Sequence, residues 1–145
     1  MIDISKKEIT VRTAKAKGTI VLGNNAFEII KQGTCIKGDV FATAKIAAIG
    51  AVKSTPSLIP MCHPILIESV EVNFELNEPE KTASVIVFVK STGKTGVEME
   101  AICGAAGGCL TIYDMLKYAD KNMVITNVKL IEKTGGKSGD YKSPD

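Results

Sequence analysis

The sequence has no tryptophan, one histidine and one arginine, and its formal net charge is only +2 over 145 residues. It contains no run of five like charges, so it lacks the basic blocks typical of nucleic-acid-binding proteins. The longest strongly apolar stretch, residues 97–116, includes three acidic residues, which excludes a membrane span. The polar N-terminus MIDISKKEIT lacks the apolar segment of a signal peptide, so we expect a cytoplasmic protein.

The four cysteines form no CxxC pair, and their spacing offers no tetrahedral zinc site. In the cytosol they would stay reduced. A chain of this length buries enough surface to fold without disulfides or a structural metal. We therefore predict one domain over residues 1–145 with no cofactor or metal of its own, and a flexible tail over residues 134–145.

Hydrophobic periodicity predicts strand, two helices, hairpin, helix and strand, in that order. The predicted strands are residues 8–17, 65–76, 83–90 and 124–131, and the predicted helices are residues 24–32, 39–53 and 97–119. Asn24 and Asp39 are the expected N-caps of the first two helices. The segment TPSLIPMCHP has three prolines in ten residues, which predicts a rigid loop rather than a long helix or a central strand.

The order βα(α)ββαβ predicts an α+β fold of the ferredoxin-like type, in which helices cover one face of an antiparallel sheet. Arg12, Lys15 and Lys17 cannot supply an apolar cover for the other face, so we expect a partner subunit to bury part of it or to pack against the flanks of the helices. Gly104, Gly107 and Gly108 in the long helix favour close packing. The sequence leaves open whether they pack against a partner or inside one subunit.

Three segments carry polar side chains that a core does not need. In KGDVFATAKIA, Lys37 before a helix start suits an anion, although a solvated lysine beside a capping aspartate fits equally. In LIPMCHP, prolines fix the backbone of His63, which either takes part in chemistry or hydrogen-bonds to loop carbonyls. Asp114 and Lys117 are three apart on a predicted helix, as an acid–base pair or an exposed ion pair would be.

Two further motifs depend on their local structure. Glu98 and Glu100 would share one face of an extended loop but point about 200° apart on a helix. The tail TGGKSGD is similar to a phosphate-binding P-loop, but residue 131 is isoleucine instead of glycine and no helix follows. What remains is a glycine loop with Lys137 that is flexible when empty and able to wrap a phosphate.

Taken together, KGDVFATAKIA, LIPMCHP, TGKTGVEMEA, LTIYDM and TGGKSGD resemble the molybdenum cofactor biosynthesis protein C family, the cyclic pyranopterin monophosphate synthases. The resemblance extends from Asp3 to Asp140. It implies a ferredoxin-like subunit in a homohexamer, a trimer of dimers, with active sites at subunit interfaces. It also implies conversion of (8S)-3',8-cyclo-7,8-dihydroguanosine 5'-triphosphate to cyclic pyranopterin monophosphate, with release of pyrophosphate.

The resemblance also implies the site residues. The catalytic group is Asp114, Lys117 and Lys37, and the substrate-binding group is Met61, Cys62, His63, Glu98, Met99, Glu100, Arg12 and Lys133. We expect Asp114 and Lys117 to do acid–base work with help from Lys37, since a lysine crowded by cations has a lowered pKa. Glu100 or the loop at 61–63 would accept hydrogen bonds from the ring. The expected triphosphate ligands are Arg12, Lys37, Lys133 and Lys137, with magnesium on the phosphates left open.

Two other function classes remain. A nucleotide-sensing module would need the phosphate ligands but no acid–base pair, so Asp114, Lys117 and His63 argue against it. A metal-binding subunit would use His63, Cys62 and the two glutamates, and it would carry stoichiometric zinc after purification.

Overall fold

The computed structural model describes residues 1–144, which form five strands and three helices. In chain order these are β1 (Thr10–Val21), α1 (Asn24–Gln32), α2 (Val40–Leu58), β2 (Ser69–Asn77), β3 (Thr82–Gly93), α3 (Glu98–Leu116), β4 (Val124–Thr134) and β5 (Tyr141–Lys142). The predicted α+β class and the order βα(α)ββαβ are confirmed, and β5 is an addition that the sequence did not predict. No helix in residues 1–144 is long and apolar enough to cross a membrane.

The five strands form one antiparallel sheet in the order β2-β3-β1-β4-β5. The central strand β1 pairs with β3 in an unbroken register that places Ala14 opposite Val89 and Ala16 opposite Val87. Its pairing with β4 has two register shifts, the first between Lys15 and Ala16. The hairpin of β2 and β3 is confirmed.

The two faces of β1 differ as its alternation predicts. Ala14, Ala16 and Ile20 are fully buried, and at Gly18 an added Cβ would lie 2.9 Å from the Cys109 Sγ of α3. This face therefore packs against α3. Lys15 and Lys17 lie on the opposite face, which stays partly exposed. The expectation that Arg12 shares that face is wrong, because Arg12 lies an odd number of residues from both lysines and is buried on the face of Ala14. The expected cover of the exposed face by a partner subunit stays a prediction.

The glycines of α3 serve packing inside the subunit. An added Cβ at Gly107 would lie 2.8 Å from Ala51 Cβ on α2, and one at Gly108 would lie 2.7 Å from Val85 Cγ1 on β3. Side chains at these positions would push α3 away from both neighbours. The alternative that the sequence left open is thus resolved in favour of contacts within one chain.

The predicted C-terminal end of α2 and the predicted N-cap of α1 are wrong. Helix α2 continues through Pro56 to Leu58 instead of ending near Lys53. Pro56 lies in the last turn, so the helix loses only the bond that its missing N–H would make to the Val52 carbonyl, and few helical residues follow the ring. The N-cap of α1 is Gly23, so Asn24 is the first helical residue. The cap of α2 is confirmed, since the Asp39 side chain accepts from the Ala42 N–H.

Other boundaries shift by a few residues. Strands β1, β3 and β4 extend beyond their predicted C-terminal ends, β2 begins at Ser69 rather than at residue 65, and α3 ends at Leu116 rather than at residue 119. The alternation at 65–68 was misread as strand. Residue Glu68 makes only one isolated backbone bond, to the Lys90 carbonyl at 3.0 Å. These differences leave the topology unchanged.

The C-terminal segment returns along β4. The Ser143 N–H donates to the Ile131 carbonyl at 2.7 Å, and the Gly135 N–H donates to Asp140 Oδ1 at 3.0 Å. Gly135 and Gly136 both have φ of 86°, a left-handed conformation that favours glycine. The glycine loop therefore makes a turn over the end of β1. Its predicted flexibility when empty stays a prediction.

Candidate active site

A cavity of about 200 Å³, here called the α3 cavity, lies between the proline-rich loop after α2 and the first turn of α3. Six predicted substrate-binding residues line it: Met61, Cys62, His63, Glu98, Met99 and Glu100. The structure therefore brings together two segments that are far apart in the sequence. Ile2, Ile4 and Lys7 complete the wall, and the sequence did not predict them.

The two glutamates of the α3 cavity have different environments. Both lie in the first turn of α3, so they diverge as a helix requires, and Glu98 forms an ion pair with Lys133 at 3.2 Å. Glu100 is only 2% exposed, and no lysine or arginine within residues 1–144 forms an ion pair with it. Burial raises the pKa of Glu100, its own backbone N–H partly opposes that rise, and the charge of Glu98 adds to it. Glu100 is thus a buried acceptor suited to a ligand with N–H donors.

The loop side of the α3 cavity presents His63 and Cys62. The imidazole of His63 is half-buried and has no hydrogen-bond partner among the described residues, so the loop carbonyls do not hold it. Burial raises the pKa of the Cys62 thiol, and the nearby Glu100 and Cys103 raise it further. A thiol kept protonated is a poor metal ligand. In the part of the chain that the structure describes, no three His, Cys, Asp or Glu side chains are grouped to hold a metal ion.

A second cavity of about 830 Å³, here called the basic cavity, lies between the N-terminal segment and the glycine loop. It is lined by Lys6, Lys7, Glu8, Thr10, Arg12, Gly136, Lys137 and Ser138. Arg12 is 9% exposed, and its Nε and the Thr10 hydroxyl are buried without a hydrogen-bond partner in residues 1–144. Leaving such a group unsatisfied costs about 1–3 kcal/mol. An anion that accepts from both groups would remove that cost.

Lys133 connects the walls of the two cavities. Its ammonium group donates to Ser138 Oγ at 2.8 Å and pairs with Glu98 at 3.2 Å. Its side chain is only 17% exposed. On the other side of the basic cavity, Gly136 packs so closely on Arg12 that a Cβ there would collide with the guanidinium group. Gly136 is therefore required for the glycine loop to pack this closely on the Arg12 guanidinium group.

The three predicted catalytic residues meet at the C-terminal end of α3. Asp114 Oδ1 lies 2.6 Å from Lys117 Nζ, and its Oδ2 lies 3.2 Å from Lys37 Nζ. Lys37 also donates to the Asp114 carbonyl at 2.6 Å. We call Lys37, Asp114 and Lys117 the lysine–aspartate trio. Lys37 is exposed beside the capping Asp39, as the solvated-lysine alternative expects, and the structure adds its pairing with Asp114.

The loop that carries Lys37 is fastened to α3 by further bonds. The Ile36 N–H donates to Tyr118 Oη at 3.2 Å, and Cys35 Sγ donates to the Met115 carbonyl at 3.5 Å. Gly38, with φ of 107°, permits the turn into α2. These contacts fix Lys37, the lysine of the KGD motif, against the C-terminal end of α3.

The charges of the trio reinforce one another. Hydrogen bonds from Lys117 and then from Lys37 hold the pKa of Asp114 below its usual value. The bond to Asp114 raises the pKa of Lys117, so the lowered lysine pKa expected of acid–base work is not found there. The reason is that the carboxylate outweighs the neighbouring cation.

One chain does not bring the trio to the two cavities. Glu98 and Asp114 lie at opposite ends of α3, and a rise of 1.5 Å per residue separates their Cα atoms by about 24 Å along the axis. Lys37 is consequently remote from Arg12, Lys133 and Lys137. The predicted site residues form two assemblies rather than one.

Thr10 and Lys7 are the functional candidates that sequence reasoning missed. Thr10 shares the strand face of Arg12, two residues away, so the alternation of β1 offered a signal. Lys7 lies in a polar segment with no periodicity, and nothing local marked it.

The family model described as "MoaC family" matches residues 1–136. A cyclic pyranopterin monophosphate synthase of Desulforamulus reducens is 48% identical over 141 residues, covering 97% of this chain and 85% of the relative. The enzyme of that name from Heliobacterium modesticaldum is also 48% identical, covering 97% of this chain and 89% of its own. The one from Clostridium acetobutylicum is 44% identical over 142 residues, covering 98% and 88%.

Proposed function

The chain belongs to the MoaC family, and we propose that it is a cyclic pyranopterin monophosphate synthase of molybdenum cofactor biosynthesis. Its substrate would be (8S)-3',8-cyclo-7,8-dihydroguanosine 5'-triphosphate, and its products cyclic pyranopterin monophosphate and pyrophosphate. One observation carries the proposal: the buried carboxylate of Glu100 lines one cavity, and Arg12, whose buried Nε has no hydrogen-bond partner within residues 1–144, lines a second cavity whose wall Lys133 joins to the first. That pairing suits a ligand with a nitrogen-rich ring at one end and phosphates at the other.

The α3 cavity would bind the ring. Glu100 offers a buried carboxylate to the ring N–H and amino donors, and the loop of Cys62 and His63 faces it across the cavity. Met99 supplies an apolar surface beside the ring.

The basic cavity would bind the triphosphate. Arg12 is the chain's single arginine, and a guanidinium group fits phosphate oxygens through paired N–H donors. Lys137 lines the same cavity, and Lys133 reaches its rim at Ser138. These cations would also stabilise the negative charge that grows on pyrophosphate as it leaves.

The trio would supply proton transfer. Asp114 is ionised and Lys117 protonated, so Asp114 would accept a proton and Lys117 would donate one. Their pairing lowers the pKa of Asp114 and raises that of Lys117, which weakens both as base and acid, so substrate would have to separate them first. In cyclisation, a ribose hydroxyl oxygen bonds to the innermost phosphorus and its proton passes to a base. The bond from that phosphorus to the bridging oxygen breaks, and pyrophosphate leaves. Rearrangement of the imidazole ring needs further proton transfers, which the trio would also serve.

The separation within one chain supports a site shared between subunits. An acid or base acts at about 3 Å from the atom it serves, whereas the trio lies about 24 Å along α3 from the cavities of its own chain. The homohexamer that the family resemblance implies, a trimer of dimers, would allow one chain's trio to meet another chain's cavities. The open face of the sheet gives such an assembly a further surface to bury.

An anaerobic assay tests the function. The enzyme is supplied with the cyclic dihydroguanosine triphosphate, and pyrophosphate release is followed together with the mass of the pterin product. Both should appear with the wild-type chain, and Asp114→Asn should lower turnover by a factor of about a thousand or more with little loss of folding. Tight binding of the triphosphate without pyrophosphate release would instead identify a nucleotide-sensing module. Substantial turnover by Asp114→Asn would remove Asp114 from the mechanism.

A further inference from the structure

The two cavities share one residue among those that the structure describes. Lys7 lines the α3 cavity beside Glu98 and also lines the basic cavity beside Arg12. Its side chain is exposed, and its ammonium group has no hydrogen-bond or ion-pair partner within residues 1–144. A free cation therefore stands at the junction of the two spaces.

The backbone that carries Lys7 is held in place. Its N–H donates to the Ile4 carbonyl at 3.1 Å, and the Ser5 carbonyl accepts from Lys94 Nζ at 2.7 Å. Asp3 Oδ1 accepts from the Ser5 N–H at 2.8 Å, a bond that also holds the pKa of Asp3 below its usual value. The turn before β1 is thus fixed on both sides while the Lys7 side chain stays free.

The shape of the proposed substrate determines which of its phosphates lies at the junction of the two cavities. A nucleotide with its ring in the α3 cavity and its outer phosphates beside Arg12 must place its innermost phosphate between the two. A lysine ammonium group is a compact charge with three donors, suited to a phosphate whose oxygens point in several directions.

We propose that Lys7 is a further substrate-binding residue, which holds the innermost phosphate, the reacting one, where the α3 cavity meets the basic cavity. This inference rests on the proposed function. It assigns different phosphates to different cations: the innermost to Lys7, and the outer two to Arg12 and Lys137. Lys7 thereby neutralises charge on the phosphorus that the ribose hydroxyl attacks.

The test compares Lys7→Gln with Lys31→Gln in the full chain. Lys31 also loses one positive charge, but from a surface ion pair with Glu78 at 2.8 Å, and such pairs contribute little to stability. Two quantities are measured: kcat/KM for the cyclic triphosphate, and the Kd of inorganic pyrophosphate by calorimetry. Lys7→Gln should lower kcat/KM roughly 10- to 100-fold, the effect of one lost charge-assisted bond, and leave pyrophosphate affinity within about twofold. Lys7→Arg should restore part of the activity, and Lys31→Gln should change neither quantity.

Each contrary result has its own meaning. If Lys7→Gln matches Lys31→Gln in kcat/KM while the wild type is active, Lys7 does not bind substrate and the inference is wrong. If pyrophosphate affinity falls as far as kcat/KM, Lys7 contacts an outer phosphate and the assignment is overturned. Failure of the wild-type chain to release pyrophosphate would overturn the proposed function instead. Thermal unfolding of both variants establishes that each is folded.

Discussion

Two inactive variants of this chain should restore activity when they assemble together. Asp114→Asn removes the acceptor of the trio, and His63→Ala removes the imidazole of the α3 cavity. Each change leaves the other assembly of site residues intact. If one chain's trio serves another chain's cavities, a mixed oligomer contains some sites that are wild type in both halves.

The amount of activity that the mixed oligomer should recover follows from the geometry of α3. Its length separates the trio from Glu98 by about 24 Å, far beyond the reach of proton transfer inside one chain. In a random 1:1 mixture, half of the chains contribute a working trio and half a working cavity. About a quarter of the sites should therefore combine both, which gives about a quarter of wild-type activity.

The assay uses co-expression of the two variants with different affinity tags. Sequential purification on both tags isolates oligomers that contain both chains, and pyrophosphate release is then measured. The matched control pairs Asp114→Asn with Lys117→Ala. Both of these changes lie in the trio, so no site in that mixture regains a complete set, and activity should stay at the level of the single variants.

A mixed oligomer as inactive as its parents would refute this reasoning. That outcome would mean that one chain completes its own site, with α3 or the loop of Lys37 placed differently when substrate is bound. Equal recovery of activity in the control mixture of Asp114→Asn and Lys117→Ala would also refute the reasoning. It would show that trio residues come from different chains, against the contacts of Asp114 with both lysines.

Two further predictions concern stability. Glu100→Gln should stabilise the fold by about 1 kcal/mol at neutral pH, since it removes a buried charge, while substrate binding weakens. Because the folded-state pKa of Glu100 is raised, the gain should shrink as the pH falls below that pKa and vanish below the ordinary glutamate value. A gain in denaturant unfolding that persists below the ordinary value would contradict this origin. Gly108→Ala should destabilise by roughly 1–3 kcal/mol through its clash with Val85, whereas Gly50→Ala, with nothing within 4 Å, should stabilise by about 0.5–1 kcal/mol. Equal unfolding midpoints for the two alanine variants would count against the packing role of Gly108.

The fold was largely predictable because its signals are local. Period-two alternation in β1 and in the hairpin reflects one buried face, and the cap at Asp39 is a bond between residues three apart. Helix ends were less predictable. Whether Pro56 stops a helix depends on how many turns follow it, and tertiary packing of α2 decides that.

The sequence predicted which residues form the site, but it did not predict where the fold places them. Specific strings identified most of the residues through resemblance, and the helix predicted over residues 97–119 already separated Glu98 from Asp114. The sequence could not show that the rest of the fold leaves the trio at that distance from the cavities. Thr10 and Lys7 were missed for another reason. Their significance comes from a cavity formed by the N-terminal segment and the glycine loop, which are more than 120 residues apart. The alternation of β1 places Thr10 on the face of Arg12, but no local pattern reveals the cavity or marks Lys7.

The polarity of α3 gives a physical reason for this distribution. A helix favours negative side chains at its N-terminal end and positive ones at its C-terminal end. Glu98 and Glu100 lie in the first turn, whereas the last turn has no basic residue of its own and carries the acidic Asp114. The positive charge at that end comes from Lys117, the C-cap, and from Lys37, which binds a helix carbonyl, and both lysines pair with Asp114. Acidic residues that recognise a ring and cations that move protons are each stabilised where they stand, and either set would lose that stabilisation at the other end. A chain that needs both against one ligand can keep this arrangement only if the N-terminal end of one α3 meets the C-terminal end of another, and the mixed-oligomer experiment tests that requirement.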